Sequence, residues 1–354
     1  MIKFRLSLLF LILVLTGAGC LGFGGDKKNN LDGGVFKTKN FGEIWQQTVA
    51  VPGLKGVGTI GGRSIVTMEM DPQDHEIIYL GTKTSGLLYS EDAGLTWRQP
   101  KLAGLKTGQI SSLAINPKDM CTIYIAKGPR LYKTEDCLHT ANDEAYVETR
   151  SQVVINQVKI DWFNPQVVWL GLSNGDVLKS TNGGQTWRTV LNTKNKISDL
   201  ILNNHDSRIV LVATDKDGLY KTSDGGENWK HIEKELKEFR NANRVYRLAQ
   251  DKKSQVVLMA SKFGLLRSED FGDSWQSIDL LTAAGQVTIK ALTIDSKDIR
   301  KFYYTALNTF YSTQDNGRTW TTHEIPTTKI PNNILIDPIN TSVLYVGTYI
   351  PVKK

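Results

Sequence analysis

Residues that build metal and thiol chemistry are scarce in this chain, which has 3 cysteines and 5 histidines among its 354 residues. The histidines are scattered, and none forms the HExxH pair of a zinc enzyme. A G-x-S-x-G nucleophile motif is also missing. Residues 56–61 match G-x-G-x-x-G, but we expect a strand after them, so a dinucleotide would find no helix N-terminus for its phosphates. The sequence therefore predicts no metal, no cofactor and no catalytic residue of these kinds.

Long apolar runs are missing except near the beginning of the chain. The run from Leu6 to Leu15 is too short to cross a bilayer. Lys3 and Arg5 precede it, and small residues follow it. This order is typical of a cleaved export signal, which we place at residues 1–19.

The segment after this signal predicts a membrane tether. Residues 15–20 (LTGAGC) resemble a bacterial lipobox, although Gly17 stands where that family usually has Leu or another aliphatic residue. The resemblance implies that Cys20 is lipidated; a simple secreted form is the alternative. Residues 20–34 have no periodic apolar pattern and are expected to form a flexible tether. We therefore expect an exported protein of the cell envelope, held on a membrane by its lipid anchor.

Neither sign of charge dominates the sequence. Its 43 Lys and Arg against 36 Asp and Glu give a net charge of +7. The basic residues form no cluster dense enough to predict nucleic-acid binding. The mild surplus of positive charge suits a position near an anionic membrane or polymer.

An eight-residue pattern, S/T-x-D/N-x-G-x-T/S/N-W, recurs about every 45 residues. Clear copies begin at Ser90, Ser180, Thr222, Ser268 and Thr313, and degenerate copies begin at Thr38 and Thr134. The acidic or amide positions of the series are Asn40, Asp92, Asp136, Asn182, Asp224, Asp270 and Asp315. Repeats of this length built from short strands predict a β-propeller with one four-stranded sheet per repeat.

The residue types of the pattern have structural reasons. Asp or Asn followed by Gly suits a tight turn, because the side chain bonds the backbone ahead of it and Gly accepts positive φ. The closing Trp is large enough to fill the wedge between neighbouring sheets. The pattern is similar to the Asp-box, or BNR repeat, of sialidase-like and sortilin-like propellers. That resemblance implies that the boxes are structural and lie on the face away from the ligand.

The two ends of the repeat region predict the number of blades. Residues 336–348 supply a first and a second strand, after which the chain stops. Residues 33–45 supply a third and a fourth strand with nothing before them. Joined, they complete one composite blade and leave no open sheet edge. We therefore predict an all-β fold, a single seven-bladed propeller over residues 35–354.

Cys121 and Cys137 flank a hairpin centred near Pro129 and are expected to face each other on adjacent strands. An oxidising compartment permits a disulfide between them. Two free buried thiols are the alternative. The bond would support the repeat with the most degenerate box, in which Leu138 replaces Gly and Ala141 replaces Trp.

Glycoside hydrolysis is the enzymatic alternative, because Asp-box propellers include sialidases and xyloglucanase-like enzymes. The early R-I-P segment of sialidases is missing. Xyloglucanase-like enzymes carry a catalytic Asp in a T-D-I-G-G turn, whereas residues 82–86 here place Lys83 at that position. Hydrolysis needs two carboxyl groups at a suitable separation. Glu69 and Asp199 are the inward-facing carboxylates that we can name, so the sequence favours a binding protein.

A ligand is expected on the face opposite the boxes. The aligned inner-strand residues that border the predicted central channel are Thr67, Ser112, Gln157, Asp199, Arg247, Ala291 and Asn333. The candidate ligand residues of this face are Lys83, Arg150, Lys159, Asp199, Arg244 and Arg247. Filling of the channel by water, or pairing of Asp199 with Arg247 or Lys159, is the alternative. Residues 232–243 have apolar residues at helical spacing and predict a short surface helix on this face.

The combination of one Asp-box propeller with a lipid anchor resembles photosystem II assembly factors and, in its repeat, sortilin-type binding propellers. The resemblance implies an extracytoplasmic binding or assembly module with a protein or polysaccharide ligand. We expect it to work as a monomer. Because one fold hosts many functions, the resemblance alone does not assign a photosynthetic role.

Overall fold

The computed structural model describes residues 31–140, 143–283 and 285–351. The predicted export signal, Cys20 and most of the predicted tether lie outside these residues. Nearly all regular structure is β. Seven sheets form the ring, of which six have four strands and one has three, and an eighth sheet is a separate two-stranded hairpin. Each of the seven sheets of the ring is one blade of a propeller, as predicted.

The blades are numbered here by their place in the chain, with the composite blade as blade 7. The innermost strands of blades 1 to 7 are β5 (Ile65–Met70), β8 (Ser112–Asn116), β12 (Ile155–Ile160), β16 (Ile197–Leu202), β20 (Val245–Gln250), β24 (Ala291–Ile294) and β28 (Ile330–Ile336). The second strands are β6 (Ile78–Thr82), β9 (Asp119–Lys127), β13 (Val168–Leu172), β17 (Val210–Thr214), β21 (Val257–Ser261), β25 (Phe302–Ala306) and β29 (Leu344–Tyr349). The third strands are β7 (Leu87–Ser90), β10 (Arg130–Thr134), β14 (Asp176–Ser180), β18 (Leu219–Thr222), β22 (Leu265–Ser268), β26 (Thr309–Thr313) and β1 (Val35–Thr38).

The outermost strands are shorter. Those of blades 2 to 7 are β11 (Asp143–Val147), β15 (Arg188–Asn192), β19 (Lys230–Ile232), β23 (Gln276–Ile278), β27 (Thr321–Glu324) and β2 (Gln46–Gln47). In blade 1 this position is held by a single bridge between Tyr89 and Arg98. A separate hairpin, β3 (Ala50–Gly53) and β4 (Gly56–Thr59), protrudes between blades 7 and 1, with Leu54 fully exposed near its tip.

The ring closes through the composite blade. β1 pairs with β29 in antiparallel register, with Val35 opposite Gly347 and Thr38 opposite Leu344. β29 pairs on its other side with β28, and each innermost strand contacts the innermost strand of the next blade around the whole circle. The predicted pairing of the two ends of the propeller is therefore confirmed.

The first described residues are bonded to the ring. Gln47 donates from Nε2 to the carbonyls of Leu31 and Gly33, at 2.6 and 2.7 Å. Asp32 pairs with Lys329 at 3.3 Å. The part of the predicted tether from residue 31 onward thus packs against blade 7.

Five of the seven second strands are buried along their whole length because each lies between two neighbouring blades. Their apolar side chains belong to core clusters that cross the seams between blades. The continuous apolar runs of the sequence follow from this burial on both faces.

The repeated pattern forms the same turn in each blade. In blade 1, Asp92 accepts from the hydroxyl of Ser90 and from the backbone N–H of Thr96, at 2.7 and 2.8 Å. Gly94 donates its N–H to Ser90 Oγ and has a φ of +76°. Since the carboxylate is fully used by its own turn, the boxes are structural elements.

Blade 2 keeps this turn although its box is degenerate. Leu138 adopts a φ of +68° where the clear copies of the pattern have Gly, and its N–H still donates to Thr134 Oγ1 at 3.1 Å. Asp136 still accepts from the N–H of Thr140. Cys137, in the same turn, is bonded to Cys121 of β9. Ala141 lies outside the described residues.

The helix predicted at residues 232–243 is not formed. The structure has one 3-10 turn there, Lys234–Leu236, and another at Ala103–Leu105. Leu236 and Phe239 pack on the core between blades 4 and 5. A segment this short is marginal as an isolated helix, and anchoring of its apolar residues on the ring decides its path.

Candidate functional site

The centre of the ring holds a narrow polar channel. A cavity of about 160 Å³ is lined by one aligned residue from each innermost strand. These are the seven residues that the sequence alignment selects, Thr67, Ser112, Gln157, Asp199, Arg247, Ala291 and Asn333.

Several of these polar side chains bond the backbone of the next blade. Gln157 donates from Nε2 to the carbonyl of Ser198 at 2.9 Å. The carboxylate of Asp199 accepts the N–H groups of Leu200 and Leu248, both at 2.9 Å. Asp199 is buried and joins the innermost strands of blades 4 and 5. The channel residues therefore hold the ring together as well as lining it.

A wider cavity of about 300 Å³ opens at the end of the channel where the innermost strands begin, on the side away from the boxes. We call it the upper mouth. Seven of the residues that line it each precede one of the seven channel residues by one position; they are Val66, Ser111, Asn156, Ser198, Tyr246, Lys290 and Asn332. Simple alternation along a strand would point such neighbours to opposite faces.

Backbone bulges explain this double lining in five of the seven blades. The register shifts between Ile65 and Thr67 in blade 1, and the same shift occurs at the equivalent position of four further innermost strands, β12, β16, β20 and β28. A bulge leaves one residue unpaired and re-aims its side chain. Two consecutive residues of one strand can therefore border the same central space.

Positive charge gathers at the upper mouth. Lys196, Arg247 and Lys290 line it, and Asp215 is the one carboxylate among its described lining residues. None of the three cations forms an ion pair with a described residue. Loss of solvent lowers the pKa of Lys290, and the charges of Arg247 and Lys196 lower it further. The mouth is thus short of negative charge and suited to an anion.

The ring of Tyr246 adds an aromatic surface to this mouth. Lys290 Nζ lies 5.2 Å from its centroid. Arg247 donates to the carbonyl of Lys290 and to the side-chain oxygen of Asn333, both at 3.4 Å. These contacts hold the cations at the rim of the channel.

Inside the channel, Glu69 faces Lys159 with 3.7 Å between Oε1 and Nζ. Burial raises the pKa of Glu69, while the positive charges of Lys159 and Arg247 oppose the rise. Asp199 is held by backbone N–H groups and pairs with neither Arg247 nor Lys159 among the described contacts, so the alternative pairing from the sequence is wrong.

The remaining candidates from the sequence are spread over the ring. Lys83 donates to the hydroxyl of Tyr349 at 2.7 Å and lies 4.9 Å from its ring centroid. Arg244 is exposed at the start of β20. Neither lines the upper mouth.

Arg150 is half exposed and belongs to a network of its own with two buried carboxylates. It contacts Glu148 at 2.7 Å and Asp176 at 2.6 Å, and both carboxylates are almost fully buried. The bonds from Arg150 hold the pKa of Glu148 at about 2. This cluster joins blades 2 and 3 and leaves neither carboxylate free for chemistry.

Sequence reasoning missed several residues of the mouth, among them Lys196, Tyr246 and Lys290. The signal that could have found these three is their place one position before a channel residue or just before an innermost strand. Alternation hides that signal, since it assigns such residues to the outer face of the strand.

The described part of the chain has neither a cluster of metal ligands nor a membrane-spanning helix. No three or more His, Cys, Asp or Glu side chains there are grouped so that they could hold a metal ion. Across residues 31–140, 143–283 and 285–351, no helix has the length and apolar character needed to cross a bilayer.

Comparison with known proteins relates the chain to two groups. Residues 189–333 match the family described as photosynthesis system II assembly factor YCF48. A curated relative, a probable oligoxyloglucan-reducing end-specific xyloglucanase of Neosartorya fischeri, is 24% identical over 207 residues. The match covers 51% of this chain and 25% of that protein, so the chain spans about a quarter of the relative's length.

Solved structures place the fold in the same two groups. The GH74 xyloglucanase of Xanthomonas campestris superposes with a TM-score of 0.67 at 14% identity, over 86% of this chain and 52% of the enzyme. YCF48 bound to a D1 peptide superposes with a TM-score of 0.61 at 12% identity, over 88% of this chain and 100% of that one. At sequence identities this low, the similarity shows a shared fold and no more.

Proposed function

Because the chain is an Asp-box (BNR) repeat β-propeller, we propose that it is a non-catalytic binding module whose ligand site is the upper mouth. The observation that carries the proposal is the convergence of Lys196, Arg247 and Lys290 on one cavity with a single carboxylate, Asp215, beside them. Like charges held close together repel one another, and an anionic partner offsets that repulsion when it binds.

A carboxylate-bearing protein segment fits this mouth best. Arg and Lys side chains bond carboxylates through charge-assisted hydrogen bonds, and the Tyr246 ring offers a stacking surface beside them. The cavity of about 300 Å³ holds a few residues of a peptide and no folded domain. The YCF48 structure with a bound D1 peptide supports a protein ligand over a glycan.

The proposed setting is the outer side of a membrane. The export signal at residues 1–19 and a lipidated Cys20 would keep the ring within tether distance of the bilayer. In that position the module would bind an exposed acidic segment of a membrane protein, either while that protein is isolated or while it assembles with others. We propose that the ring acts as a monomer.

Crosslinking in the native membrane tests the binding role. The double variant Lys196→Glu, Lys290→Glu reverses two mouth charges, and Lys253→Glu reverses an exposed charge on the loop between β20 and β21. We expect the captured partner to be lost with the double variant and retained with Lys253→Glu. Capture by wild type should also fall as salt rises from about 0.05 to 0.5 M, because the charges are solvent-accessible. Equal capture by both variants would exclude the mouth as the site.

Glycoside hydrolysis is a second candidate, favoured by the xyloglucanase relatives. The two inward carboxylates do not support it: Glu69 is paired with Lys159, and each oxygen of Asp199 accepts a backbone N–H group. A release assay on xyloglucan and other polysaccharides separates the two functions. If wild type releases sugar and Glu69→Gln does not, the protein is an enzyme. We expect wild type to release no sugar.

A further inference from the structure

The hairpin formed by β3 and β4 belongs to no blade of the ring. It is a two-stranded sheet of its own, joined to blade 1 by one bridge between Ala50 and Thr96. Its base is fixed, since Trp97 donates its backbone N–H to the carbonyl of Ala50 at 2.8 Å and the neighbouring Ile60 is fully buried. Residues 52–59 are all exposed. The hairpin is thus a projection with a buried base and a solvent-exposed tip.

The tip carries apolar side chains that its turn does not require. Leu54 and Val57 are the two most exposed large apolar side chains of the described residues, and Val57 is 76% exposed. Two-residue turns of hairpins usually contain Asn, Asp or Gly, whereas this turn has Leu54 and Lys55. A two-stranded hairpin has no core of its own in which to bury them. These side chains are therefore available to a surface outside the ring.

The first described residues approach the ring at the base of this hairpin. Gly33 donates its N–H to the carbonyl of Gly61 at 3.0 Å, and Gly61 lies two residues after the end of β4. A Cβ atom added at Gly62 would lie 3.1 Å from Cδ2 of Leu31, so Leu31 contacts the same turn. The N-terminal segment and the hairpin thus leave the ring at one place.

This place is on the side of the upper mouth. Asp32 pairs with Lys329, which directly precedes the innermost strand β28, and the innermost strands begin at the upper mouth. If Cys20 carries the proposed lipid anchor, residues 21–30 reach at most about 40 Å from Leu31 even when fully extended. The tip of the hairpin is therefore within reach of the bilayer that holds the anchor.

Cations lie at the tip and at the base of the hairpin. Lys55 is exposed in the turn itself. Arg63 donates to the hydroxyl of Ser85. The backbone N–H of Lys83 donates to the carbonyl of Ser64 at 3.0 Å, which places Lys83 beside the base. An apolar tip with cations around it suits the headgroup region of an anionic bilayer, where apolar side chains enter the acyl boundary and Lys or Arg meets the phosphates.

We propose that the hairpin of β3 and β4 is a membrane contact that inserts Leu54 and Val57 into the interface of an anionic bilayer. This inference rests on the membrane setting of the proposed function and is independent of the ligand of the upper mouth. Anchor and hairpin are two attachments close together, so binding of the first raises the effective concentration of the second. Together they hold the edge formed by blades 7 and 1 at the bilayer, with the upper mouth on the membrane side.

Depth measurements on the full chain, expressed with its own export signal and reconstituted into vesicles of phosphatidylglycerol and phosphatidylethanolamine, test the proposal. A nitroxide is attached at Leu54→Cys or, as the matched control, at Ile339→Cys, because Ile339 is 65% exposed on the box side. We expect the label at position 54 to meet oxygen more often than a water-soluble nickel complex, and the label at position 339 to show the reverse. Preference for the nickel complex at both positions, or shielding of position 54 from both reagents by a protein, would overturn the proposal.

Vesicle binding without the anchor is the second measurement. The propeller closes on itself from residue 31 onward, so the chain without residues 1–20 keeps every described contact. It is compared with Leu54→Ser, Val57→Ser and with Phe163→Ser, Ile339→Ser, a similarly exposed pair on the box side. We expect affinity for anionic vesicles to fall at least about tenfold in the hairpin variant and to stay unchanged in the box-side variant.

The two double variants keep every charge, so binding through the cations of the upper mouth alone would be the same in both. Equal vesicle affinity in wild type and the hairpin variant, or loss in the box-side variant instead, would overturn the membrane contact. Capture of a protein partner at the upper mouth enters neither measurement, so such a failure leaves the proposed binding role standing.

Discussion

The indole Nε1 of Trp97 donates a 2.8 Å hydrogen bond to the carbonyl of Thr48, which joins blade 1 to the N-terminal part of blade 7 across the seam between them. Trp97 is fully buried. Trp275 is nearly as buried, but its Nε1 has no hydrogen-bond partner among the described residues. The two indoles thus fill equivalent spaces between blades, but only that of Trp97 forms a hydrogen bond with a described residue.

We expect Trp97→Phe to destabilise the protein by about 1 kcal/mol more than Trp275→Phe. Both substitutions remove a similar volume, and only the first leaves a buried carbonyl without its donor. Urea unfolding of the two variants measures the difference. Equal losses of unfolding free energy in the two variants would mean that the indole hydrogen bond of Trp97 does not stabilise the fold.

Deletion of residues 340–354 removes β29 and leaves β1 and β28 without their shared partner. We expect Tm to fall by more than about 10 °C, because one blade loses its central strand and the ring opens. Differential scanning calorimetry measures the change. A synthetic peptide of residues 340–354 should recover part of the loss by strand addition, whereas a scrambled peptide should not.

Arg150→Ala should destabilise the fold by about 2 kcal/mol at pH 7, since it leaves Glu148 and Asp176 buried without their cation. Arg130→Ala is the matched control, because Arg130 and its partner Glu144 are both exposed, and it should cost little.

The same pair predicts a pH dependence. The folded pKa of Glu148 is about 2, below its usual 4.5. Its contribution is therefore present above about pH 4.5 and is lost as the pH falls towards 2. In Arg150→Ala this part of the acid destabilisation should disappear. Unfolding free energies measured from pH 7 to pH 2.5 test it, and parallel curves for the variant and wild type would contradict it.

The bond between Cys121 and Cys137 closes a loop with a sequence separation of 16 residues. For a loop of this length we expect loss of the bond to cost about 3 kcal/mol. The double variant Cys121→Ser, Cys137→Ser should match wild type in reductant and be less stable without it. Mass spectrometry of a non-reduced digest provides the independent check, and two free thiols would contradict the prediction.

Much of the architecture was predictable because each repeat contains the local sequence signals for its own turn and strands. The Asp and Gly of a box determine a local turn, and the interval between boxes counts the blades. The complementary halves at residues 33–45 and 336–348 predict closure, which the register of β1 with β29 confirms. The channel residues were also found, because alignment of equivalent strands places equivalent side chains at the same depth.

The upper mouth and the polar networks were not predictable in this way. Lys83 and Tyr349 are far apart in sequence and meet only because the ring closes. Arg150 finds Asp176 across a seam between blades. Such contacts depend on how neighbouring sheets twist and pack against one another, and the sequence of a single repeat does not determine that packing.

The sequence by itself thus determined the propeller, its seven blades and the structural role of the boxes, since these follow from periodic local patterns. Only the tertiary structure decided that Lys290 and Tyr246 border the mouth and that Asp199 joins two strands. The reason is physical: a bulge changes the direction of the Tyr246 side chain, and packing between blades decides where Lys290 lies and which backbone groups bond Asp199.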